Sequence, residues 1–170
     1  MRLFFALWPP RQAAEALHAW ALLAQRATGG RATRAETIHL TLVFLGEVLE
    51  SKLSGAIQAA RQVECNSHIM VLEQAKFWRH NRIVWAGPLE IPEELEFVVS
   101  SLQEKLRERE HPIEKRPFAA HVTLIRKARE PRTLPPLPAV DWSVGEFVLV
   151  RSRLSAAGSR YEEIERFPLN

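Results

Sequence analysis

A single cysteine, Cys65, stands in the 170 residues, so no internal disulfide can form. No histidine-rich or glycine-rich tract takes its place, and a lone thiol of this kind points to a reducing compartment, with the cytoplasm as the expected location. Cys65 lies in Val63-Glu64-Cys65-Asn66-Ser67, which offers no nucleophile context, and it reads as incidental. No apolar run approaches the length that spans a bilayer, so no membrane role is expected. The opening Leu3-Phe4-Phe5-Ala6-Leu7-Trp8 is short and is halted by Pro9-Pro10, which suits a buried first strand rather than a signal peptide. The 7 glycines form neither a Walker loop nor a dinucleotide-binding fingerprint. No serine sits between glycines on a strand-to-helix turn, which removes the serine-hydrolase arrangement.

What is present is a chain of one-domain size with 46% hydrophobic residues, ample for a core. Its net charge of +3 is mildly basic and suits an acidic ligand such as RNA. The pattern predicts β-α-β-α-β-β-α-β-β-β, a mixed α+β chain. The expected helices run from Pro9-Pro10 to about Arg26, from Glu50 to Val63, and from Ile91-Pro92 to about Arg109. The expected strands are Leu3 to Trp8, Ile38 to Leu45, His68 to Glu73, Arg82 to Ala86, Ala120 to Ile125, Phe147 to Leu154 and Tyr161 to Phe167. Gln74 to Asn81 reads as a connection whose aromatics either meet a nucleotide or cap the core, and Pro131 to Pro138 as a stiff surface crossing. Two similar lobes are expected, one from each half of the chain, with a motif strand central in each.

Those motif strands carry the chemistry. His39-Leu40-Thr41-Leu42 and His121-Val122-Thr123-Leu124 repeat one pattern, each inside an apolar run. In a strand, residues i and i+2 share a face, so each motif sets an imidazole beside a hydroxyl while the apolar residue between them turns away. One such pair reads as a satisfied polar pair on a half-buried strand. Two, brought face to face, supply two proton-transfer groups and two hydroxyls around one anionic centre. Histidine fits because its unperturbed pKa of about 6.5 lies near working pH, and opening a cyclic phosphodiester needs one base and one acid. Thr41 and Thr123 would stabilise phosphoryl oxygens, and Arg126 is the nearest cation. Five residues after His121, Arg126 falls on the opposite face by simple alternation, so the strand must bend back for it to touch phosphate. Otherwise it is a solvated strand-end arginine beside Lys127 and Arg129. Neither motif carries an Asp, Glu or Cys at ligand spacing, and no metal or other cofactor is expected.

With these residues in view, the chain resembles the 2H phosphoesterase superfamily, named for two His-x-Thr-x motifs, and within it the bacterial and archaeal RNA 2',3'-cyclic phosphodiesterases, formerly described as 2'-5' RNA ligases. The likeness runs from Arg2-Leu3-Phe4-Phe5-Ala6 through Ile38 to Gly46, Arg82-Ile83-Val84-Trp85 and Arg116 to Arg126, and ends with Tyr161 and Phe167-Pro168-Leu169. It implies a single two-lobed α+β domain over residues 1–170, with helices outside and a central cleft between two pseudo-symmetric sheets. It also implies metal-independent hydrolysis of a terminal RNA 2',3'-cyclic phosphate to a 2'-phosphomonoester. By the same resemblance, His39 is the proton donor to the leaving 3' oxygen and His121 the proton acceptor from water, with Thr41, Thr123 and Arg126 binding the phosphate. A weak reverse reaction would join RNA ends through a 2'-5' bond. Where the family often has proline before the second histidine, this chain has Ala120, which leaves the reacting groups in place.

Other readings keep the same site. The substrate could be a 2'-5' oligoadenylate or a small cyclic nucleotide phosphate, or the protein could be a non-catalytic module that binds RNA ends. The expected partner is RNA with a 2',3'-cyclic phosphate end, taken up by a monomer that needs no protein partner.

Overall fold

Arg2–Leu7 forms β1, and five consecutive buried residues follow Arg2 because both faces of the strand are covered. Leu3, Phe5 and Leu7 enter the main core, while Phe4 and Ala6 pack with Val148 and Val150 in a smaller cluster that Trp8 and Tyr161 flank. The computed structural model describes all 170 residues. Pro10 leads into α1, Arg11–Thr28, whose buried face is Ala13, Ala14, Leu17, Trp20, Ala21 and Ala24 at helical spacing. The chain continues through β2 (Arg31–Ala32), a 3-10 turn at Ala35–Thr37 and β3 (Leu40–Glu47). A second 3-10 turn precedes α2 (Leu53–Arg61), and β4 (His68–Leu72), β5 (Gln74–Trp78) and β6 (Ile83–Gly87) follow. After α3 (Glu93–Glu108) come β7 (Val122–Arg126), β8 (Val140–Val144), β9 (Glu146–Ser155) and β10 (Gly158–Pro168).

The main sheet runs β10-β9-β1-β3-β7-β6-β5, with β2 added beside β7; β4 and β8 form a separate pair, and every pairing is antiparallel. One residue pair alone, Leu40 with Val122, joins β3 to β7, so the sheet is two sub-sheets meeting at a seam. The motif strands flank that seam: β7 lies between β2 and β6 in its lobe, whereas β3, expected to be central, is the last strand of its sub-sheet. The halves of the chain are also interlaced. The last two strands complete the sheet begun by β1, α2 and α3 pack together on that side, and α1 rests on β2, β7 and β8 of the other lobe.

Two other expectations change. Gln74–Trp78, read as a connection, is a strand because Lys76, Phe77 and Trp78 pair with Trp85, Val84 and Ile83. Behind the proline-rich crossing lies an unforeseen strand, β8, whose Val140, Trp142 and Val144 alternate inward. His18 bonds through Nδ1 to the Thr33 carbonyl at 2.8 Å and ties α1 to the segment entering the cleft.

Candidate active site

The seam residues are the middle positions of the two His-x-Thr motifs. Leu40 and Val122 are fully buried, and their antiparallel pairing sets His39 beside Thr123 and Thr41 beside His121 on the face that opens to a cleft. His39, Thr41, His121, Thr123 and Arg126 all line one cavity of about 570 Å³. Both histidines precede the first paired residue of their strands, and each uses that entry in the same way. Nδ1–H of His39 donates to the Thr37 carbonyl at 2.7 Å, and Nδ1–H of His121 donates to the Ala119 carbonyl at 2.8 Å. Nε2 is thereby left as the free nitrogen of each ring. The local bond is not diagnostic by itself, since His68 makes it to Asn66 at 3.1 Å on the separate two-stranded sheet. What sets the other two apart is their shared cavity.

Arg126 reaches that cavity because β7 does not alternate simply. Thr123 opposes Trp85 and Ile125 opposes Val84, so Leu124 is an extra residue, a β-bulge that returns Arg126 to the face of His121. Leu124 and Ile125 are accordingly both buried. Thr33 satisfies the bulge: its hydroxyl donates to the Thr123 carbonyl at 2.9 Å and its N–H to the Leu124 carbonyl at 2.8 Å. Beyond Arg126 the chain turns at Lys127, φ +54°, and the Arg129 N–H donates to the Thr28 carbonyl at 2.7 Å. Gly30, φ +78°, lies so close that an added Cβ would meet the Arg126 carbonyl oxygen at 2.4 Å. Strand β3 has the same bulge after its threonine, at Leu42, but the residue five after His39 is Phe44, with the Arg2 guanidinium 4.9 Å over its ring.

The cavity is electropositive. Its charged residues are Arg31, Arg34 and Arg126, with no carboxylate among the lining side chains and no ion pair made by any of the three. Arg31 stands directly across from Arg126 in the β2–β7 pairing, a like-charge opposition that favours an anion between them. No three His, Cys, Asp or Glu side chains converge anywhere in the chain.

Aromatic rings surround both imidazoles. Trp8 stacks on His39 at 4.8 Å, and Phe4 and Tyr161 lie 5.2 and 5.1 Å from it, centroid to centroid. Trp78 and Trp85 lie 4.8 and 6.4 Å from His121. This burial lowers the His39 pKa to about 4, and the charge of Arg126 adds to the effect. His121 is lowered as well, again by burial first and then by Arg126. With no anion bound, both rings are neutral at pH 7.

Five residues foreseen from sequence meet at one cavity. Arg31, Arg34 and Tyr161 also line it and were not assigned to it; Trp8 and Trp78, likewise unassigned, pack against the two imidazoles, and Trp8 offers the signal of sharing a face with Phe4 and Ala6. Among the other aromatics near the motifs, Phe5 is core, Phe4 underlies His39 and Phe44 is exposed.

Residues 7–85 match the family described as LigT like Phosphoesterase. The RNA 2',3'-cyclic phosphodiesterase of Escherichia coli (strain K12) is 33% identical over 170 residues, covering 99% of this chain and 96% of that protein. The protein of the same name from Thermus thermophilus is 31% identical, covering 99% and 90%. The crystal structure of E. coli LigT in apo form superposes with a TM-score of 0.91 at 32% identity, over 99% of this chain and 96% of that one. Its complex with 3'-AMP gives 0.90 at 32% identity, covering 99% and 97%. Paired motifs at a seam between two sub-sheets, full-length similarity and the shared fold place this chain in the LigT-like phosphoesterases of the 2H superfamily.

Proposed function

We propose that this protein hydrolyses the 2',3'-cyclic phosphodiester at RNA ends to a 2'-phosphomonoester, without a metal. The observation that carries the reading is the meeting of two His-x-Thr motifs at Leu40 and Val122 beside three unpaired arginines. The relatives named for this activity, and the 3'-AMP complex of one of them, support it. Nε2 of His121 takes a proton from water as its oxygen attacks phosphorus. His39, protonated, gives its proton to the departing 3' oxygen, and Thr41, Thr123 and Arg126 hold the phosphoryl oxygens as negative charge builds. The difference in surroundings suits these roles. A donor whose pKa is lowered to about 4 is a strong acid once charged, and the anionic substrate supplies the charge that protonates it. An RNA 5'-hydroxyl in place of water gives a 2'-5' bond by the same proton transfers.

We read the protein as a monomer, and the lone cysteine supports the cytoplasm as its compartment. No helix is long and apolar enough to cross a membrane. The test is an RNA with a 2',3'-cyclic end incubated with the protein in chelator, with 2'-phosphate as the expected product. Undiminished turnover by a His39→Ala, His121→Ala double variant overturns the reading. In the wild type, kcat/KM is bell-shaped in pH with both limbs on the acid side of about 6.5, because both free-protein imidazoles are lowered. The limbs of kcat lie at higher pH, since bound substrate raises both. Saturable RNA-end binding with no product would instead mark a binding module.

A further inference from the structure

A second cavity, about 790 Å³, adjoins the first and shares Arg34, Thr37, Ser159 and Tyr161 with it. Trp8 stands at the partition. Its ring is stacked on His39 and its indole N–H donates to the Glu36 carbonyl at 3.0 Å, so it is held in place while lining the second cavity. Val148 and Val150, packed with Phe4 and Ala6, give this cavity an apolar floor. Its volume lies within the roughly 300–1,000 Å³ typical of small-molecule sites.

The two cavities differ in charge. The first has three arginines and no carboxylate, whereas the second sets Arg34, Arg160 and Arg166 against Glu36, Glu146 and Glu163 and is neutral. Arg166 is itself engaged by Glu146 at 3.0 Å and Glu163 at 2.5 Å. A neutral, apolar-floored space with an aromatic wall and carboxylate acceptors suits a nucleoside, whose base stacks and whose amino groups donate. Phosphate belongs in the first cavity and at the junction, where Arg34 is exposed, makes no ion pair and lines both spaces.

We propose that the second cavity seats the nucleoside immediately 5' of the reacting one, with Arg34 holding the phosphodiester between them, so that the preferred substrate is an RNA chain rather than a free nucleoside cyclic phosphate. This rests on the hydrolytic reading above. Two variants separate the parts. Arg34→Ala removes the junction charge. Gly145 lines only the second cavity, an added Cβ there meets no atom within 4 Å, and its φ lies outside the left-handed region, so Gly145→Trp fills that space without backbone strain.

The experiment compares kcat/KM for three substrates: adenosine 2',3'-cyclic phosphate, the same compound with a 5'-phosphate, and the adenylyl-adenosine dinucleotide with a 2',3'-cyclic end. In the wild type the value rises by about tenfold at each step, the first from a charge-assisted bond and the second from stacking. Arg34→Ala flattens the first step. Gly145→Trp removes the second while its turnover of the 5'-phosphorylated mononucleotide reports that it is folded. Equal values for all three wild-type substrates overturn the inference, as does a Gly145→Trp protein that loses the 5'-phosphorylated mononucleotide as strongly as the dinucleotide. If none of the three is hydrolysed, the hydrolytic reading itself fails.

Discussion

Binding of an anion between the two histidines takes up protons, and sulfate shows this cleanly because it has no titration of its own near neutrality. In the empty cavity burial holds His39 near pKa 4, so at pH 7 about one molecule in a thousand carries its proton. One negative charge about 4 Å from the ring, at an effective dielectric of about 20, favours the imidazolium by about 4 kcal/mol. That equals about three pH units, so a dianion is enough to charge His39 at pH 7. Uptake of between one and two protons per site is expected, one on His39 and a share on His121, which is also neutral in the empty cavity and faces the same anion. It is measured by titration calorimetry in buffers of different ionisation enthalpy, where the apparent binding enthalpy changes with a slope between one and two. His39→Asn lowers that slope by about one. A wild-type slope near zero at pH 7, with sulfate bound, refutes the reasoning, because the anion then sits away from the imidazoles or His39 is not depressed.

The same depression makes the fold acid-sensitive. The unfolded chain has a His39 pKa of about 6.5 and binds more protons than the native state, so stability is lost as pH falls from about 6.5 to 4. The loss reaches at most about 3 kcal/mol, less as water enters the open cleft, and denaturant melts of wild type and His39→Asn across that window read it; parallel curves would count against it. Gly30→Ala lowers stability by about 2 kcal/mol or more, since the new methyl meets the Arg126 carbonyl oxygen at 2.4 Å at a left-handed φ. Moving that backbone also displaces Arg126, so kcat/KM falls further than unfolding accounts for; an unchanged melt would show that β2 can move aside.

Local pattern in the sequence was enough for both motifs, the three helices and most strands, because alternation and helical spacing report burial directly. The features that escaped depend on distant partners. Strand β8 alternates as plainly as any other, yet Val140, Trp142 and Val144 follow a proline run and pair with β4, far back in the chain. Arg126 illustrates the limit best. Counting along an ideal strand sends it to the wrong face, and only the extra residue opposite Val84 and Trp85 restores it. Arg31 looked like general basicity because its opposition to Arg126 requires β2 to lie on β7, a placement the Gly29-Gly30 turn makes feasible but does not announce.

Interlaced lobes also govern when the site can exist. Strand β1 lacks its second neighbour until β9 is made, and α1 has no β7 or β8 to rest on until residues 122–126 are made. Tyr161, which covers the His39 ring, arrives last of all. Neither half of the chain therefore holds a partial catalyst. The cleft is complete only once the β9–β10 hairpin is made, and a product truncated before that hairpin carries both histidines with His39 lacking its Tyr161 wall.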